Sequence, residues 1–541
     1  MTPALPVPRR VSRLVQALAV LIFAAYAWRF FNNVDDDAFI TMRYALNFWR
    51  GWGWTMNPGE RVEGYTSPLH LWYLTVALRL LSPDATIFLS KAIGVGLGIH
   101  VLSLTRQIAR RVYIGAPWIA EASVLLLALL PEFALSMTNA METGFAVWLL
   151  ACGIAAYLAD RAQPVEKRPA VRTCTALWFA AAALTRPELI PVLPALLLTW
   201  APRRPSSWRD YRGVLVGYAL PLLLLLTFRL AYYQDVLPNT YYAKHMALVE
   251  AMPLGWGYYQ RFALPAHLPL VGLALTVLGT LAVALTGRHR SVVFTVIALN
   301  LAFVLGCGGT WGIDGRFVAP AMPLLALVWT APLALLERFA QRQQPLTVIE
   351  KPVIAACYTL GLILLEIVPR VQGVAAEPYL TDLVTALRAP AQPPLVRWKA
   401  GVPQGRRRLS DWIAAHARPG QLVAQTEMGL PSLMNRDVSF IDLRGLCDRT
   451  VARMATRHHT NVGIDDTGGW ADQSGEIWPY LHARRPDWIL LFDSTAPETR
   501  VPIVNGMYAT GESFDIDGGG GIWTVQTWHL VGRPPTDVKD S

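Results

Sequence analysis

Three consecutive carboxylates, Asp35-Asp36-Asp37, follow the first long apolar run of the chain. A carboxylate in hydrocarbon costs roughly 2.5–3.5 kcal/mol on insertion scales. The triplet therefore belongs at a membrane surface or in a wet cavity. One aspartate suffices to cap the helix that starts there, by accepting free N–H groups and opposing the helix dipole. Three are more than capping needs, and the surplus marks the floor of an active site. Residue type alone leaves open which of them acts.

Other polar groups interrupt the apolar pattern. The stretch Asn57–Pro68 opens on an Asn-Pro-Gly turn, and its Glu63 and Tyr65 are suited to hydrogen-bonding sugar hydroxyls. An ordinary polar loop fits the same residues. Glu132 and Glu142, with Asn139 near the second, bracket a turn between two apolar runs, where a glutamate also serves as a cap. Arg186-Pro187-Glu188 breaks an apolar run, either as an ion pair that makes the break tolerable or as an anion site at membrane depth. Lys244, beside His245, and Arg316 carry charge suited to phosphate, by point attraction and by chelation, with lipid contact as the plainer role. His458-His459 are adjacent, which is a weak metal pattern, and Asp465-Asp466 reads as a solvated pair. Trp470, Trp478, Trp488, Trp523 and Trp528 suit either sugar stacking or a core. Four of five cysteines (152, 174, 307, 357) lie in or beside apolar runs and Cys447 stands apart, so neither a disulfide framework nor a zinc spacing exists.

These groups must be held by a polytopic α-helical membrane protein. The 541 residues are 53% hydrophobic and only 16% charged, and apolar runs recur up to about Pro369. About eleven spans are expected, near 12–31, 86–105, 118–137, 142–160, 172–186, 188–202, 213–232, 268–286, 291–307, 317–336 and 352–369. The first reads as a retained helix rather than a cleaved signal, since no small-residue cleavage site follows it. The net charge of +10 sits largely in short loops, which explains it by topology and excludes nucleic acid as its cause. If 68–82 is a surface helix rather than a span, every basic cluster falls on one side, which is then cytoplasmic. Pro68, Trp72 and Tyr73 suit such an interfacial helix. The chemical groups then all lie on the opposite face. Two domains follow: 1–369, a membrane catalytic domain, and 370–541, an extracytoplasmic α/β domain reached through a proline-rich linker at Pro390–Pro394. Strands are expected at Leu422–Thr426, Val438–Asp442, Trp488–Phe492 and Ile522–Thr527, a helix at Leu409–Ala417, and a glycine turn at Gly518–Gly521.

The stretch Asp36-Asp37-Ala38-Phe39-Ile40, Arg43-Tyr44-Ala45, Gly51-Trp52-Gly53 and Asn57 to Leu69 resembles a signature of the GT-C superfamily of membrane glycosyltransferases. The resemblance is to the mycobacterial terminal β-(1→2)-arabinofuranosyltransferase and its bacterial relatives. Met141-Glu142-Thr143, Thr185-Arg186-Pro187-Glu188, Pro238-Asn239-Thr240 with Ala243-Lys244, Arg316-Phe317 with Pro320 and Pro323, and Ile441-Asp442-Leu443 with Gly445-Leu446 and Asp448 are similar to later signatures. Relatives often carry an aspartate where this chain has Thr310, so no carboxylate role transfers there. The resemblance implies a polyprenyl-phosphate sugar donor of the decaprenyl-phospho-arabinofuranose type, a glycan or glycoprotein acceptor, and a catalytic aspartate in a first outer loop with surface helices. Asp36 is then expected as general base, with Asp37 holding the acceptor or its own helix in place. Lys244, Arg186 and Arg316 are expected at the donor phosphate. Glu63, Tyr65, Glu142, Glu188 and Asn239 are expected at the sugar or acceptor. No cofactor is required by the sequence, and a divalent metal is left open. The implied setting is a bacterial inner membrane. Mannosyl or aminoarabinosyl transfer, or a flippase for lipid-linked sugars, are the alternatives.

Overall fold

The computed structural model describes residues 7–113, 117–163, 171–199, 211–263, 269–309, 315–343, 404–458, 476–493, 507–517 and 522–531, with 354, 358 and 361. Several sequence expectations lie outside the described residues. These are most of the run 352–369, the linker at Pro390–Pro394, Thr310, His459, Asp465-Asp466, Trp470, the side chain of Trp523 and the Gly518–Gly521 turn.

Among the described residues, six helices are long and apolar enough to cross a membrane: Arg9–Asn32, Pro83–Val112, Thr143–Arg161, Arg212–Tyr232, Arg290–Cys307 and Ala319–Phe339. A seventh is reached if Trp118–Leu129 and Pro131–Thr138, bent by 64°, count as one. Thr173–Thr185, Pro187–Thr199 and Gly272–Thr286 are apolar but shorter. Prolines set many of these limits. Pro68, Pro83, Pro117, Pro131, Pro269 and Pro332 each open a helix, where a missing N–H costs nothing and φ is already helical. Arg186, which precedes Pro187, is extended (φ −144°, ψ 117°) and ends the Thr173–Thr185 helix.

The chain forms two compact units. The first gathers Met1–Phe31, Leu89–Leu225 and Leu248–Gln392; the second gathers Asn32–Phe88, Leu226–Ala247 and Pro393–Ser541. Composition drew its boundary after residue 369. The compact units divide the chain elsewhere, because two stretches between apolar runs pack with the polar C-terminal part.

The second unit contains a five-stranded sheet of order β2-β1-β3-β5-β4, with β1 Leu422–Gln425, β2 Ser439–Asp442, β3 Trp488–Asp493, β4 Tyr508–Asp517 and β5 Ile522–Leu530. β1 runs parallel to both β2 and β3, while β5 is antiparallel to β3 and β4. The helices Arg449–His458 and Ile477–Arg484 cover it through a core that includes Ile441, Val451, Ala455, Leu481, Ile489 and Trp528. β4 has no counterpart in the sequence expectation. It carries Glu512, Asp515 and Asp517 and a register shift between Thr510 and Ser513, features that keep an edge strand from pairing further.

In the same unit lie the helices Asp36–Trp49 and Pro68–Leu80. The second buries Leu71, Leu74 and Leu78 and exposes Trp72, Val76 and Leu80, an apolar stripe at helical spacing.

Candidate active site

The aspartate triplet divides its work. Asp35 is the N-cap of the Asp36–Trp49 helix, and its carboxylate accepts the Asp37 N–H at 3.1 Å. Capping thus consumes one aspartate. Asp36 is buried and turns towards residues that arrive from the C-terminal part of the unit. Its Oδ1 accepts the Leu430 N–H at 3.0 Å and lies 3.6 Å from the Arg406 Nε. The approach is so close that a Cβ on Gly429 would fall 2.0 Å from Asp36 Oδ2. Burial pushes the Asp36 carboxyl up to about 6; Glu427 and Asp37 add to the rise, while Arg406 and the Leu430 N–H oppose it. Asp37 is partly exposed.

Arg406 also donates to Glu427 Oε2 at 2.9 Å, and Arg444 reaches Glu427 Oε1 at 3.0 Å. Burial works to raise the Glu427 carboxyl, but Arg444 and Arg406 outweigh it and hold it below the ordinary range. Sequence reasoning singled out none of these three. One signal was present: Arg406, Arg407 and Arg408 lie near the start of the Gln404–His416 helix, whose first turn has no acid. Cations there oppose the helix dipole and call for carboxylate partners.

Three expected sugar contacts have partners of their own within this unit. Arg229 donates to Glu63 in a bidentate pair, Nε to Oε2 at 2.8 Å and Nη2 to Oε1 at 3.0 Å. Burial pushes Glu63 up to about 7 against that pairing. The Tyr65 and Tyr233 hydroxyls share a hydrogen bond of 2.9 Å. The Asn239 amide donates to the carbonyls of Gly445, Leu446 and Asp448 at 2.7, 3.1 and 3.2 Å. These contacts fasten the first loop to the 226–247 stretch, and that stretch to the turn after β2. Lys244 caps the Asn239–Ala243 helix at its C-terminus and is exposed.

The same fastening extends to other motif residues. Arg43 is fully buried and donates to the carbonyls of Met56, Ser432, Asn435 and Val438. Asn57 pairs both ways with the Phe440 main chain, at 2.6 and 2.8 Å. Asp442 accepts the N–H groups of Arg444 and Cys447 at 2.9 and 2.8 Å, which closes the turn after β2.

The first unit holds a second constellation. Arg186 donates to Glu142 Oε1 at 3.0 Å and to Glu188 Oε1, and its guanidinium lies 5.0 Å from the Phe317 ring centre. The Arg316 guanidinium lies 5.6 Å from the same ring centre and reaches Met141 Sδ at 3.3 Å. Glu142 begins the Thr143–Arg161 helix without a side-chain cap bond, so its carboxylate serves Arg186 instead. Three segments far apart in sequence thus bring Glu142, Arg186, Glu188 and Arg316 together. Lys91, not singled out from sequence, is buried in this unit and donates to the Thr138 carbonyl at 2.6 Å. Among the described residues no three His, Cys, Asp or Glu side chains are grouped to hold a metal ion.

Residues 398–538 match a family model described as a domain of unknown function (DUF8728). Among solved structures, ArnT from Cupriavidus metallidurans bound to undecaprenyl phosphate aligns with a TM-score of 0.48 and 14% identity, covering 95% of this chain and 97% of that one. The apo oligosaccharyltransferase of Archaeoglobus fulgidus aligns with a TM-score of 0.48 and 10% identity, covering 98% of this chain and 76% of that one. A terminal β-(1→2)-arabinofuranosyltransferase of Corynebacterium glutamicum is 28% identical over 374 residues, 61% of this chain and 52% of the relative. One of Mycobacterium tuberculosis is 29% identical over 304 residues, 52% of this chain and 45% of the relative. The chain spans about half the length of these curated relatives. By sequence, then, it is similar over part of its length to the terminal β-(1→2)-arabinofuranosyltransferases.

Proposed function

We propose that the protein transfers arabinofuranose from a polyprenyl phosphate to a glycan or glycoprotein acceptor at the extracytoplasmic face of a bacterial inner membrane. The observation that carries this reading is Asp36, a buried carboxylate beside an arginine, with a proton affinity raised towards neutrality. A base is most effective when its pKa lies near the working pH, and an ionised Asp36 at pH 7 meets that condition. The similarity to the named arabinofuranosyltransferases supports the choice of sugar.

In the proposed reaction the acceptor hydroxyl loses its proton to Asp36, and its oxygen bonds to the anomeric carbon. The bond from that carbon to the donor phosphate breaks with inversion, and the polyprenyl phosphate leaves with one more negative charge. That charge needs stabilising cations rather than a proton. Lys244 is the proposed phosphate residue in the unit that holds Asp36. In the other unit Arg316 is proposed to meet anionic oxygen, and Arg186, with two carboxylates on its guanidinium, to orient Arg316 rather than to bind. Asp37, partly exposed beside the base, is proposed to hold the acceptor.

The test uses full-length protein in detergent, synthetic decaprenyl-phosphoryl arabinofuranose and an arabinose oligosaccharide. Asp36→Asn is expected to slow transfer by about 10²–10⁴-fold with the unfolding temperature retained. Near-normal turnover in a folded variant removes the base. Wild-type protein that releases no polyprenyl phosphate on acceptor addition removes the transferase.

A further inference from the structure

Arg406 faces two carboxylates and serves them unequally. Its Nε is 2.9 Å from Glu427 Oε2 and 3.6 Å from Asp36 Oδ1. Glu427 in turn is held from the other side by Arg444 at 3.0 Å. The order Asp36, Arg406, Glu427, Arg444 is thus a chain of alternating charge. It runs from the first-loop helix to the segments that follow β1 and β2. The Leu430 N–H, at the start of a short helix, fixes the same Asp36 oxygen at 3.0 Å.

We propose that Arg406 and Glu427 are positioning residues for Asp36, holding its carboxylate oriented and ionised for the acceptor's proton. This rests on the reading of Asp36 as base. A lone Asp36–Arg406 pair would make the carboxylate a poor proton acceptor, because an opposite charge within 4–6 Å lowers a carboxyl by about 1–3 pH units. Without Arg406, burial would raise the Asp36 carboxyl further and leave less of it ionised at neutral pH. Glu427 takes the closer share of the guanidinium and leaves Asp36 between these limits.

Among the described residues the charged groups facing Asp36 are few. Asp35 and Asp37 lie on its own helix or cap. Arg406 and Glu427 come from the C-terminal part, and Arg444 acts on Glu427. The Pro68–Leu80 helix packs along the same helix and brings His70, stacked on Tyr73, and Arg79, which sits over Trp49 at the helix's other end.

The experiment reads the carboxyl without needing a substrate. Infrared difference titration of the full-length protein follows the protonated-carboxyl signal that Asp36→Asn removes. Glu427→Gln should move its midpoint down by about one pH unit, and Arg406→Gln should move it up by about one to three, with Arg406→Lys returning it most of the way. The acid limb of the turnover profile should follow in the same opposite directions. Loss of folding or packing alone lowers turnover without moving that limb both ways. Midpoints that stay fixed, or that move together, overturn the inference. If Arg406→Gln does not fold, the downward shift in Glu427→Gln decides by itself. A slow Asp36→Asn with fixed midpoints sinks this inference alone. A normally active Asp36→Asn sinks the base reading, and this inference with it.

Discussion

Asp36 and Leu430 are 394 positions apart, yet one carboxylate oxygen joins them. Gly429 makes the approach possible, since any side chain there would meet Asp36 Oδ2. Gly429→Ala is expected to cost about 1–3 kcal/mol of stability through overpacking. It should slow transfer at least about tenfold by displacing the carboxylate. Thermal unfolding and turnover measure both, and a fully active Gly429→Ala would show that the turn yields without cost. The aspartate triplet was legible in the sequence because carboxylates beside an apolar run have a known penalty. Its partners were not. Local periodicity carries no record of which distant charge meets which, and Glu427 looks like any glutamate after a strand. Glu63, Tyr65 and Asn239 were legible as unusual but not as fasteners, because a buried clasp and a ligand contact draw on the same residue types.

The first-loop helix owes its place to main-chain pairing as much as to apolar burial. Arg43 and Asn57 between them satisfy the carbonyls of residues 432, 435, 438 and 440 and the N–H of 440. Asn57→Ala removes both bonds to Phe440 and leaves a buried donor and acceptor unpaired. The expected loss is about 2–4 kcal/mol, read as a fall in unfolding temperature, with faster amide exchange in β2. No such change would mean that water takes over these bonds. Four of the five strands were legible from short β-branched and aromatic runs. β4 was hidden because Tyr508–Asp517 is polar and acidic, as a protected edge requires. The break at Arg186 was legible from the proline that follows it. That Glu142 abandons capping to meet Arg186 was not, since either use fits a glutamate at a helix start.

Apolar length gave the membrane character of the whole chain, and the described helices supply six or seven candidate crossings. The orientation proposed here rests on the basic clusters and on the exposed stripe of Trp72, Val76 and Leu80, which suits an interfacial helix. It makes a plain prediction for a variant whose natural cysteines are replaced. A membrane-impermeant maleimide should label Lys244→Cys in intact spheroplasts, and Arg288→Cys only after lysis. Both positions are exposed. Labelling in the reverse pattern would put the aspartates in the cytosol and end the proposal.

The clasp made by Asn239, Arg43 and Asn57 bears on how such a protein can be inherited. A gene fragment that starts at residue 398 encodes the sheet but leaves behind the side chains that satisfy its turn after β2 and the N–H and carbonyl of Phe440. Recombination that grafted this sheet onto a foreign membrane bundle would have to bring along two more pieces, Asn32–Phe88 and Leu226–Ala247, from the far side of long stretches of hydrophobic code. The tail of this chain is therefore no interchangeable cassette, and hybrids between relatives should survive only when all three inserts descend from the same parent.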